Sequence, residues 1–342
     1  MADYSNRTLS NSTIKCVEGS PDAGDPSGLN AIQIVTLTIC FMAICSNLIL
    51  LSLFCDRHVW QRSFGVYLII LAVGNIINSI LQNGLILMVK NVLSPEDDSL
   101  FCSVHMTLRL IVTAYVPFIH VLICANRIWA LVYPYSYRAR HTFRLAISAC
   151  VVAAIVIVGF VIPATVVDAL HGRTPSLNEF CRMNFSNEDL VKWTYSFNII
   201  SLFIPESIIL LTCPFLLRKR AIPLNRMRVT PSGMSPRGIK RSTDNDVIDG
   251  HDVSRNGSAL RKHPRQNYRI LALLTVSVFI CWTPVNVYYV LPNLTSHTRF
   301  FQIANVVKLV HSAIDPVLFI ASIDDLKEAY WRCTKKILCN RL

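Results

Sequence analysis

Seven runs of apolar residues, each about as long as a bilayer is thick, constrain this chain more than any other feature. They fall near 30–54, 64–89, 102–133, 144–169, 194–218, 268–292 and 299–323. A hydrocarbon core of about 30 Å takes roughly 20 apolar residues in helical form. Composition agrees, since 52% of the 342 residues are hydrophobic and only 16% are charged, against about a quarter charged in a soluble domain. The expected fold is all-α, a seven-transmembrane helix bundle over 30–323 with a short amphipathic C-terminal helix. A polar tail (1–29) precedes the bundle, a long third loop (218–267) interrupts it, and a helix and tail (324–342) follow it.

Charge placement sets the expected topology. The formal charge of +12 would suit nucleic acid, but the basic residues cluster in the loops of one face. RKR at 218–220, KR at 240–241, RK at 261–262, Arg138, Arg140, Arg332, Lys335, Lys336 and Arg341 share that face, while Glu96, Asp97 and Asp98 lie on the other. Excess Lys and Arg marks the cytosolic side, so the N-terminus is expected outside and the lipid bilayer, not nucleic acid, accounts for the charge. Four sequons, at Asn6, Asn11, Asn184 and Asn293, fall on the predicted outer face, and only Asn256 falls inside. Glycosylation of those four is the expectation. Residues 1–29 lack an apolar stretch, so the first span itself is expected to direct insertion.

The third inner loop is rich in Ser, Pro, Gly and charge and reads as disordered. Residues 324–339 read as an amphipathic helix whose Leu326, Tyr330, Trp331, Ile337 and Leu338 face lipid. Cys333 and Cys339 lie in this basic tail, where they are open to palmitoylation. Cysteines inside the apolar runs, such as Cys40, Cys124, Cys150 and Cys281, read as small buried hydrophobes.

A set of motifs in register then points to a family. The first run holds Asn47 in SNLIL and the second LAVGN at 71–75. The third begins at Cys102 and ends in Asn126-Arg127-Ile128, and Cys181 follows in the second outer loop. The fifth holds Pro205, the sixth CWTP at 281–284, and the seventh Asp315-Pro316-Val-Leu-Phe319. In these residues the chain resembles the rhodopsin-like G-protein-coupled receptors across nearly all of 30–340, as a divergent member.

The resemblance implies a receptor that activates a heterotrimeric G protein, with arrestin and receptor kinases as further partners and no enzyme activity. It pairs Cys102 with Cys181, two free thiols being the other reading. It makes Pro205, Pro284 and Pro316 hinge candidates, because a helix-interior proline removes a backbone hydrogen bond and favours a kink. It gives Arg127 the G-protein-coupling role, with Trp282 beneath the ligand. The departures matter equally. Asn126 stands where an acid usually restrains Arg127, which implies raised basal activity. Asn75 and Asp315 invert the family's buried Asp and Asn, so a water or sodium site there has altered geometry. Phe319 replaces the usual tyrosine.

Ligand class follows from charge. Arg109 lies 18 residues, five helical turns, before Arg127 and so shares its face. A cation there repels amines. Arg109 and Lys308, with His105 and His311 nearby, suggest a cationic pocket above Trp282. Lys308 instead pairing with Glu206, or snorkelling, stays open. A second outer loop of roughly 24 residues makes a peptide, and hence neuropeptide signalling, the leading reading. A small organic or lipid acid or a nucleotide is the alternative. An opsin is disfavoured because its lysine would fall at Leu309, about 100° around the helix from Lys308. A transporter is disfavoured by the absence of internal repeats. Histidines are scattered along the chain and no HExxH occurs, so neither a metal site nor a cofactor is expected.

Overall fold

The computed structural model describes residues 31–55, 63–81, 95–170, 192, 193, 196, 197, 199–221, 272–288 and 298–339. Six of the expected spans form the helices Ala31–Leu53, Ser63–Ser79, Pro95–Val132, Phe143–Leu170, Ile204–Ala221 and Thr298–Ser322, the first to fifth and the seventh in chain order. The sixth span is the helix Ala272–Tyr288. A short helix, Pro134–Arg140, joins the third and fourth spans, and Asp324–Cys339 continues from the seventh. The first span has 23 residues, about 35 Å at 1.5 Å per residue, enough to cross a hydrocarbon core.

Burial in this bundle is inverted relative to a water-soluble protein. Large apolar side chains face outward, among them Phe41 (68% exposed), Leu211 (72%) and Ile155 (64%), while Asn47, Asn75, His120, His311 and Asp315 are all buried. Lipid rewards that arrangement, because apolar groups lose nothing there and polar groups must find partners inside. The third span is the central strut and packs against the second, fourth and fifth. The seventh closes the bundle against the first and second. Leu50, Leu71, Ile119, Ile123 and Phe319 fill the middle.

Proline shapes two spans in ways the physics explains. A π-helical turn, Ile199–Phe203, stands directly before the helix that carries Pro205; such turns accompany kinks. In the seventh span Pro316 has no N–H for the carbonyl of Ser312, its partner one turn back. Asn47 of the first span supplies the missing donor, its Nδ2 lying 2.8 Å from Ser312 O. The same Nδ2 bonds Ala43 O at 2.8 Å. One side chain thereby repairs the helix and docks the first span on the seventh.

The structure corrects one reading and extends another. The third helix begins at Pro95, while its apolar span, Phe101–Val132, agrees with the expected run over 102–133. In the tail helix Leu326 is buried with Ala329 in the main core, so it faces the bundle, while Tyr330 and Trp331 are exposed. The helix packs against the first and seventh spans, and that contact outweighs lipid for Leu326. The N-terminal tail, most of the third inner loop, Ile337 and Leu338 side chains, Cys181, Asn6, Asn11, Asn184 and Asn293 lie outside the described residues.

Candidate functional site

A buried polar cluster occupies the middle of the bundle. Asp315 of the seventh span receives Asn75 Nδ2 from the second at 3.3 Å. His120 of the third span brings Nε2 within 3.0 Å of the same oxygen, Oδ2. His311, one turn before Asp315, places Nδ1 3.3 Å from it. The two rings meet edge to face with centres 4.9 Å apart. The swapped Asn75 and Asp315 therefore do meet. His120 escaped the sequence reading, although a signal existed: it lies seven residues, about two helical turns, before Arg127, on the face that points inward.

Above this cluster, toward the Cys102 end, Trp282 is buried and packs edge-on to His311 at 6.0 Å. Lys308 is 4% exposed and sets its ammonium 5.6 Å from the centre of the Trp282 ring, a cation–π approach. Arg109 is half-buried and interacts electrostatically with both Lys308 and His105. Arg109 is thus within electrostatic reach of two of the other residues expected in the pocket. His311 is not among them, since it turns to Asp315. His105 is buried, bonded to Leu81 O at 2.8 Å and stacked on Phe101 at 5.8 Å, which makes it a wall rather than a free contact. Cys102 is buried and disulfide-bonded.

The pairing of Lys308 with Glu206 is not made. Both Glu206 oxygens are taken by the sixth span: Thr283 Oγ1 donates to Oε1 at 2.6 Å, and Asn286 Nδ2 donates to Oε2. These bonds tie the two spans one residue after Pro205 and on either side of Pro284. A cavity of about 10 Å³ lined by His120, Glu206, Val278 and Trp282 lies just below, room for about one water.

At the opposite end the Arg127 guanidinium lies over the Phe64 ring of the second span, 3.3 Å from its centre. Asn126 does not leave its place empty. Its Nδ2 donates to His141 Nε2 at 2.6 Å, and its Oδ1 accepts from Tyr137 Oη at 3.2 Å. His141 Nδ1 meets Ser63 Oγ at 2.9 Å, and the imidazole stacks on Tyr137 with centres 4.6 Å apart. Burial, and then the nearby Arg127 charge, hold the His141 pKa below its ordinary value, so the ring is neutral. Sequence reading missed His141, which no motif marks.

Cys333 and Cys339 are exposed free thiols on the tail helix. Phe319 is buried beneath Asp315 and shares a small cavity with it. The family model described as 7 transmembrane receptor (rhodopsin family) matches residues 46–319. No curated protein sequence matches the chain.

Proposed function

The chain belongs to the rhodopsin family of seven-transmembrane receptors, and from that premise we propose that its ligand is an extracellular peptide with an anionic group. Family membership makes it a multi-pass receptor of the plasma membrane and not an enzyme. The observation that carries the ligand reading is Lys308 at the Trp282 ring within electrostatic reach of Arg109. Two cations held together in a low-dielectric site repel each other, and an anion between them relieves the cost. A chain-terminal carboxylate or an acidic side chain fits that need. The burial of Lys308 favours a slender group reaching inward, so a small organic acid is the second reading.

The signalling step is a population shift. Anion binding draws Lys308 away from the Trp282 ring, Trp282 repacks against His311, and the sixth span swings about Pro284. The Arg127 end opens toward the α subunit of a heterotrimeric G protein. In this reading the N-terminus is extracellular and glycosylated at Asn6, Asn11, Asn184 and Asn293. Cys102 joins Cys181, and Cys333 and Cys339 carry palmitate. Arrestin and receptor kinases act on the same inner face.

G-protein activation in cells expressing wild type and Arg109→Ala, screened against pooled peptides and organic acids, tests the reading. A peptide response that the variant loses by more than 10-fold in potency supports it. A response confined to organic acids moves the assignment to the second reading, and one indifferent to Arg109→Ala removes the anion pocket.

A further inference from the structure

His120 poses a problem of lone pairs. Its Nδ1 lies 2.9 Å from the carbonyl oxygen of Val116, one turn back on the same helix. A carbonyl only accepts, so Nδ1 carries the hydrogen. In the neutral ring Nε2 then presents a lone pair, and 3.0 Å away stands Asp315 Oδ2, also a lone-pair donor. Two acceptors face each other in a site where both side chains are about 2% exposed or less. Such a pair calls for a cation between them.

His311 asks for the same thing. It is 0% exposed; its Nδ1 stands 3.3 Å from Asp315 Oδ2 without hydrogen-bond geometry, and its Nε2 has no hydrogen-bond partner among the described residues. Asp315 Oδ1 and Asn75 Oδ1 are buried and likewise unpartnered there. Buried polar groups are almost always bonded, so four orphaned atoms around one carboxylate mark a place built for something more.

We propose that His120, His311 and Asp315 hold a Zn²⁺ ion between the third and seventh spans. Two imidazoles and one carboxylate are a zinc donor set. His311 and Asp315 stand at i and i+4 on one helix face, the spacing that lets one helix offer two donors to one ion. The His120 Nδ1–H···O=C bond is the outer contact that metal-ligating histidines make, fixing the tautomer so that Nε2 faces the ion. The three donor atoms already lie within 4.8 Å of one another. Neighbouring donors in a tetrahedral Zn²⁺ site stand about 3.4 Å apart, so side-chain rotation that closes the widest pair by about 1.4 Å completes the site. The other two separations, His120 Nε2 and His311 Nδ1 to Asp315 Oδ2, are already 3.0 and 3.3 Å. Asn75 now turns its Nδ2 to Asp315 Oδ2, and turning that amide over offers Oδ1 as a fourth ligand. Nitrogen donors select a borderline ion such as zinc over sodium, which prefers oxygen alone.

The test uses the purified full-length chain in nanodiscs, stripped with a chelator and then loaded with Zn²⁺. Bound metal is counted by mass spectrometry after desalting, and Co²⁺ is substituted to read the ligand field. The expected result is one equivalent per chain, removed by His311→Ala and weakened more than 10-fold by His120→Gln, while His251→Ala keeps it. His120→Cys guards against misfolding: it retains a zinc donor, and its Co²⁺ form gains a thiolate charge-transfer band. Binding that none of the cluster substitutions alters overturns the proposal, as does a folded His120→Cys variant without that band. A wild type stabilised by Na⁺ and not by Zn²⁺ also overturns it. If no metal binds and NMR shows His120 protonated on both nitrogens, the bridging cation is a proton and the zinc assignment is wrong.

Discussion

The guanidinium of Arg127 lies 3.3 Å from the centre of the Phe64 ring, which places the principal charge of one end of the bundle on an aromatic face of the neighbouring second span. With Asn126 bonded to His141 and Tyr137, this contact takes up part of the restraint that an adjacent carboxylate would give. A cation–π contact contributes about 0.5–2 kcal/mol, a factor of roughly 2–30 in a two-state equilibrium. Phe64→Leu keeps the apolar volume and removes the ring. Basal nucleotide exchange on a G protein should rise several-fold in that variant and fall in Arg127→Ala. A silent Phe64→Leu variant would show that Arg127 is held by other contacts.

His141 gives the same end a pH dependence. Burial and the Arg127 charge lower its pKa from 6.5, so the folded state binds fewer protons than the unfolded state below that value. Stability from the neutral ring is therefore present above about pH 6.5 and is lost as pH falls through the lower folded pKa. The groups facing the imidazole are Ser63 and Tyr67 of the second span, Asn126, Arg127 and Trp129 of the third, and Tyr137 of the short helix. Thermal melting of wild type between pH 7.5 and 5 should fall more steeply than that of His141→Gln. Parallel curves would assign the acid sensitivity elsewhere.

Asn47 should matter more to stability than its size suggests. It donates to Ser312 O, the carbonyl that Pro316 orphans, and replacing it by Leu leaves that buried acceptor bare. The cost is about 1–3 kcal/mol, several degrees in melting temperature. Converting Pro316 to Ala in the same background restores an N–H for Ser312. The double variant Asn47→Leu/Pro316→Ala should therefore recover stability relative to Asn47→Leu alone, whereas additive losses would refute the repair.

The spans were legible because lipid demands long apolar runs, and the period of a helix carries from Arg127 back to Arg109 without knowledge of any neighbour. Contacts between helices were not legible. Asn75 and Asp315 are 240 residues apart in sequence and could be joined only through the family pattern. His120 and Asp315, 195 apart, match no such pattern, so no motif in the sequence singles out His120. Spacing fixes the face of Lys308 and not its reach, so the sequence leaves an anion pocket, pairing with Glu206 and snorkelling all open. Geometry places Lys308 on Trp282 and gives Glu206 to Thr283 and Asn286. The expectation that Leu326 faces lipid fails for a related reason: amphipathicity identifies an apolar face but not whether the bundle or the bilayer covers it.

Glu206 supplies the last prediction. Its two oxygens accept Thr283 Oγ1 and Asn286 Nδ2, so a carboxylate beside Pro205 ties the fifth span to the proline-bearing segment of the sixth. Hydrogen bonds to a charged group contribute about 1.5–3 kcal/mol each, and the outward swing of the sixth span that the proposed signalling step invokes would break both. Removing them in Glu206→Ala should lower the barrier to that motion and favour the open arrangement. Basal nucleotide exchange is then expected to rise on the order of 10-fold, with a lower melting temperature. Glu206→Gln, which keeps one acceptor, should fall between wild type and Ala on both scales. If melting temperature drops in both variants while basal exchange stays flat, the carboxylate holds the resting bundle together without gating the sixth span.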